Sequence, residues 1–154
     1  RQRQMCIRDR DKAGVFAEIR RVLEPGGWFT CYDWMRTDGE YSDDMLYFFE
    51  VEGLTYAMET IEGQVRLLRE AGFESIDSED ATDWYRREAR AEYERLKGEL
   101  YPAMVDLLGQ TEADANVENW RAMVVVIDQG EMRQCYCRGQ KPAGVLPDAA
   151  GAVS

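Results

Sequence analysis

The sequence predicts an α/β fold, and three observations carry that expectation. Amphipathic helical stripes and short strand-like runs follow one another in the order helix, strand, helix, strand, helices, strand. The strand-like runs are short and rich in aromatic and β-branched residues, as buried strands are. Pro and Gly stand where one pattern gives way to the other, most plainly at Pro25-Gly26-Gly27.

The first helix is expected over residues 11–24, where Val15, Phe16, Ile19, Val22 and Leu23 form one stripe. Pro25-Gly26-Gly27 ends it, because Pro lacks a donor and Gly tolerates a left-handed turn. The run WFTCYDW, residues 28–34, reads as a buried strand, and RTDGEYSDD, 36–44, as a loop. Residues 45–58 hold Met45, Leu46, Phe48, Phe49, Leu54, Tyr56 and Met58 and read as helical, broken near Gly53. Thr60 is placed to cap the next helix, which points Val65, Leu68 and Ala71 inward and stops at Gly72. A weak second strand follows over 73–80, then a long helix over 82–108. That helix carries Tyr85, Ala89, Tyr93, Leu96, Leu100, Met104 and Leu107 on one side, with Pro102 placed to kink or divide it. A helix over 113–127 and a third strand over 130–140 complete the pattern. Three strands make a poor independent sheet, so further strands are expected to pair with them.

Bulk composition narrows the function. At 154 residues the chain fits one domain or a large part of one, and 45% hydrophobic residues suffice for a core. It contains no apolar run of about 18 residues, so no membrane span is expected. The net charge of −11 argues against binding a nucleic-acid backbone, which needs a basic footprint. Such a charge suits a soluble cytoplasmic protein. There is no histidine, and Cys6, Cys31, Cys135 and Cys137 form no CxxC, so no zinc site is expected. Cys135 and Cys137 lie two apart in a strand-like run and read as buried thiols on one face. The stretch RQRQMCIRDR has no periodicity and resembles translated adapter sequence. Residues 1–10 are therefore expected to be non-native or disordered, with the native chain continuing upstream. The Pro- and Gly-rich residues 143–154 read as a disordered tail.

RRVLEPGG followed by WFTCYDW resembles the helix and fifth strand of the Rossmann-like S-adenosylmethionine-dependent methyltransferases. TIEGQVRLLREAGFESIDSEDAT, 60–82, is similar to that fold's next helix and strand. NWRAMVVVIDQGEMRQCYCRGQKP, 119–142, resembles the closing helix and final antiparallel strand of the phosphoethanolamine N-methyltransferases. The resemblance implies that residues 11–142 are the C-terminal part of such a sheet, with three strands, the last antiparallel. The added helices would then form a cover on the substrate side. It also implies S-adenosylmethionine as cofactor. The glycine-rich cofactor loop and the catalytic residues are expected upstream of Asp11, since EPGGW is a turn and not a nucleoside cradle.

In open α/β sheets ligands sit outside the carboxyl ends of the parallel strands, which is where Asp33 and Trp34 fall. An amine substrate needs aromatic faces for its ammonium and an acid to hold or deprotonate it. Trp34, Tyr47, Phe48, Phe49 and Tyr56 offer the faces and Asp33 the acid; core packing is the competing role for the rings, and capping or solvating a loop for Asp33. Under the resemblance, Tyr56 falls where the related enzymes use a phosphate-binding tyrosine, and Trp34 where they carry another. Their phosphate-binding arginine is Leu54 here, and a lysine expected just after Trp120 is missing. A non-phosphorylated amino acid or amino alcohol is therefore expected, with Arg121 or Arg133 available for a carboxylate or simply exposed. Two alternatives stay open: an O-, C- or S-methyltransferase of a small acid, and a non-catalytic module docking through the acidic 82–108 helix.

Overall fold

The computed structural model describes residues 11–144. The expectations for residues 1–10, and all but the first two residues of the 143–154 tail, lie outside the described residues. Helix α1 (Lys12–Val22) is capped by the Asp11 carboxylate, which accepts from the Gly14 N–H at 2.9 Å. Strand β1 (Trp28–Arg36) runs two residues beyond the expected end. Between them the Pro-Gly-Gly turn does more than stop a helix. Gly26 takes a left-handed φ of 78°, so its N–H meets the Lys141 carbonyl at 3.0 Å, while the Lys141 N–H meets the Gly27 carbonyl at 2.8 Å. The turn is thereby sewn to the far end of the last strand.

Helix α2 (Asp43–Glu52) starts at a Ser42 cap and ends at Gly53, whose φ is 68°. The expected helix over 45–58 therefore stops at its glycine, and Tyr56 lies in irregular chain leading to the next element. Helix α3 (Ile61–Glu70) has Thr60 Oγ1 accepting from the Gly63 N–H at 2.9 Å, as its capping sequence predicts. Strand β2 (Glu74–Asp80) leads into α4 (Thr82–Lys97), α5 (Tyr101–Leu108), α6 (Gln110–Asp128) and β3 (Met132–Gln140). The single long helix expected over 82–108 is thus two, parted at Gly98, with Pro102 in the first turn of α5 where its missing N–H costs nothing. Leu107 does not join the inward stripe; it is 82% exposed. Val22 of the α1 stripe is exposed as well.

The strands order β1-β3-β2, with β3 antiparallel to both neighbours, so β1 and β2 run parallel and end on the same side. Register from Trp28↔Gln140 to Arg36↔Met132 alternates side chains between two faces. Phe29, Cys31 and Met35 face α1 and α3, meeting Phe16, Leu68, Phe73, Cys135 and Cys137. On the opposite face α2, α4 and α6 form a second core of Met45, Phe48, Phe49, Ala89, Met123, Val126 and Met132. Ala89 of α4 is buried in that core, and Arg86 and Arg90 of α4 pair with Asp128 at the end of α6. The apolar side expected to dock a partner is therefore covered from within around Ala89, whereas α5 buries no side chain. None of the helices is long and apolar enough to cross a membrane, among the described residues.

Candidate functional site

The end of β1 holds Asp33 and Trp34, and adjacent strand residues leave opposite faces. Trp34 turns toward the α2–α6 layer. Its ring lies 5.5 Å from Tyr56 and 6.0 Å from Phe48, both edge-on. The Tyr56 hydroxyl donates to Glu52 Oε1 at 2.9 Å, and Asn119 Nδ2 donates to the other Glu52 oxygen. Gln134 faces Trp34 across the sheet and is buried. Its amide satisfies both neighbours when its nitrogen donates to the Asp33 carbonyl at 2.9 Å and its oxygen accepts from the Trp34 indole. Tyr85 of α4 packs against the same core and its hydroxyl donates to Met123 Sδ at 3.5 Å; burial raises its pKa, with the Glu52 charge adding to the rise. Four rings, one carboxylate and two amides from β1, α2, the chain after it, α4, α6 and β3 thus converge at the carboxyl end of β1.

Asp33 belongs to the other side. It shares a face with Cys31 and Met35, is 8% exposed, and takes the Trp34 N–H at 2.9 Å. Burial pushes its pKa up to about 6, against the pull of Lys12 and of that N–H. A carboxyl that titrates there is matched to proton transfer near neutral pH. It is neither a loop cap nor solvated.

Tyr47 and Arg121 come together, but on the outer surface of α2 and α6. The Tyr47 hydroxyl donates to Glu118 at 2.6 Å, Arg121 pairs with Glu118 at 2.7 Å, and the guanidinium lies 5.9 Å from the Tyr47 ring. The Arg121 bond holds the Glu118 carboxyl down to about 2. Arg133 pairs with Asp80 and is the register partner of Met35, so it leaves the face opposite Trp34. The six sequence-expected residues therefore form two separate pairs, Trp34–Tyr56 and Tyr47–Arg121, with Asp33 and Arg133 apart from both. Glu52, Tyr85, Asn119 and Gln134 were not singled out by the sequence. Glu52 and Tyr56 are four apart, yet Gly53 breaks the helix between them, so no helical spacing signals their contact. The others meet only through the sheet register and the helix layer.

The residues present do not make a cradle for S-adenosylmethionine. Among the described residues no strand passes through a glycine-rich turn into a helix N-terminus, the arrangement that receives such a cofactor.

No family model matches the chain. Over 131 residues, 85% of the chain, it is 26% identical to a phosphoethanolamine N-methyltransferase of Triticum aestivum, of which it covers 25%. Over 94 residues, 56% of the chain, it is 37% identical to a sterol 24-C-methyltransferase of Gibberella zeae, of which it covers 24%. Homologues of this chain are S-adenosylmethionine-dependent methyltransferases. The chain spans about a quarter of the length of these curated relatives. In fold it matches Haemonchus contortus phosphoethanolamine N-methyltransferase 2, solved with phosphomonomethylethanolamine and S-adenosylhomocysteine. The TM-score is 0.77 at 20% identity, over 86% of this chain and 30% of that one. Such neighbours are Rossmann-like methyltransferase domains, and the β1-β3-β2 sheet with its helices corresponds to part of them.

Proposed function

We propose that the chain is the substrate-side part of a methyltransferase that transfers a methyl group to a small, non-phosphorylated amine, an amino acid or amino alcohol. The observation that carries this reading is the Trp34–Tyr56 ring pair, joined by Tyr85, at the carboxyl end of β1. S-adenosylmethionine would supply the methyl group, held by residues outside those described. Methyl transfer to an amine turns a neutral nitrogen into an ammonium, so positive charge grows there in the transition state. Aromatic faces attract that charge, and a partly desolvated setting strengthens the attraction. Leu54, which packs against the same core, stands where the related enzymes carry a phosphate-binding arginine, and the lysine expected just after Trp120 is missing, which supports a substrate without a phosphate. The net charge of −11 disfavours nucleic acid, and the free thiols Cys31, Cys135 and Cys137 suit the reducing cytoplasm.

The test is to express the complete protein, titrate it with S-adenosylmethionine by calorimetry, and assay methyl transfer to amines with and without a phosphate. Cofactor binding with turnover of a non-phosphorylated amine is expected. Turnover of phosphoethanolamine alone, or no cofactor binding, would sink the reading. A second reading, methyl transfer to carbon, is favoured by the 37% identity to the sterol enzyme. Stabilisation of a carbocation would use the same rings, and product analysis separates the two.

A further inference from the structure

Glu52 differs from the acids around it. Glu118 is paired with Arg121, Asp128 with Arg86 and Arg90, Asp80 with Arg133, and Asp33 faces Lys12. Glu52 is held only by neutral donors, the Tyr56 hydroxyl at 2.9 Å and the Asn119 amide, and among the described residues it has no ion-pair partner. The two donors fix the carboxylate in place without cancelling its charge. The Tyr56 ring that orients it stands 5.5 Å from Trp34, and its charge reaches Tyr85 on the far side of the cluster. Aromatic rings beside an uncompensated carboxylate make a local negative potential. That combination attracts an ammonium and repels a phosphate.

We infer that Glu52 is the counter-charge for the substrate's ammonium and sets this site's preference for a cationic amine over neutral or phosphorylated analogues. The inference rests on the amine-methyltransferase reading and deepens it. Tyr56 and Asn119 are then positioning residues, acting through the carboxylate they hold.

The test uses the complete protein with S-adenosylhomocysteine present. N,N-dimethylethanolamine is titrated against its neutral carbon isostere 3-methylbutan-1-ol and against phosphodimethylethanolamine. Wild type should bind the cation about tenfold or more tighter than the neutral isostere. Glu52→Gln, which keeps shape, should bring the two close to equal in a protein that still folds, and Glu52→Asp should restore most of the preference. Asn119→Lys places an ammonium against the carboxylate and should turn preference toward the phosphorylated amine, which keeps the test decisive should Glu52→Gln not fold. A wild-type preference that survives both Glu52→Gln and Asn119→Lys overturns the inference even where amine methylation is intact. A complete protein that binds cofactor yet methylates no amine overturns the amine reading, and this inference with it.

Discussion

On one face of the sheet, Met35 and Cys135 lie under α1 and α3 with Phe16 and Leu68, each at most 1% exposed. On the other, Trp34 and Met132 are covered by the α2–α6 layer, while Trp28, Tyr32 and Tyr136 stand 46, 40 and 46% exposed. The first face is aliphatic, thiol and Phe packing around buried Lys12, Asp33 and Gln64. The second mixes rings with a bonded set of Glu52, Tyr56, Asn119 and Gln134. Buried polar groups thus lie on both faces, and it is the ring cluster that sets the second apart. The α1–α3 face is the more tightly closed of the two, and the α2–α6 face is the one on which the proposed site lies, at the end of β1.

The comparison breaks most visibly at Phe16. Phe16→Ala should cost about 4 kcal/mol in denaturant unfolding, because it empties a closed core, yet leave the preference among amine analogues unchanged. A shift in that preference would show that the faces are not separate in role.

Asp33 is the next largest and has the opposite sign. Its folded pKa of about 6 exceeds the ordinary aspartate value, so the folded state binds the proton more tightly than the unfolded chain. The stability this confers is present below about pH 4 and lost as pH rises through about 6. Asp33→Asn should therefore stabilise the protein by about 3 kcal/mol at pH 8 and by almost nothing at pH 3.5, read by urea unfolding at both values. An equal gain at both would remove Asp33's ionisation as the cause. A simultaneous loss of turnover near neutrality would give its carboxylate a part in proton transfer.

Tyr56→Phe removes a donor to a carboxylate and should cost about 2 kcal/mol. It should also weaken binding of dimethylethanolamine, whereas Phe16→Ala does not. At the open end of the second face the effect should be smallest. Tyr136→Thr loses the 4.4 Å contact with Tyr32 across the strands, worth about 0.5 kcal/mol by thermal unfolding. Arg121→Ala, breaking an exposed pair with Glu118, should be as small in stability. A rise in KM confined to amines that carry a carboxylate would return Arg121 to the site.

Much of the fold was legible because its signals are local. Thr60 and the glycines at 53 and 72 begin or end helices by their own chemistry, at or near the residue the pattern indicates, whereas Ser42, read as loop, caps a helix that starts two residues before the expected one. The long helix failed as one piece because Gly98 interrupts a stripe that periodicity alone carries straight across. Of the candidate site, Trp34 and Tyr56 were legible as aromatics near a strand end. Asp33 was legible as an acid but not as one turned away from Trp34, since a two-residue period decides facing only once the strand is known to be continuous. Arg121 and Arg133 read as spare cations, and the structure gives each an acid.

Residue chemistry along the chain was enough to determine the α/β order, the helix caps, the Pro-Gly-Gly reversal and the likeness to a methyltransferase sheet, because each depends on residues near one another in sequence. Which side chains meet was decided by tertiary structure. The β1–β3 register sets Gln134 against Trp34, the α2–α6 packing brings Asn119 to Glu52, and the break at Gly53 returns Tyr56 to the same carboxylate. Those contacts join residues tens of positions apart, and no local pattern encodes a distance that only the packed layers impose.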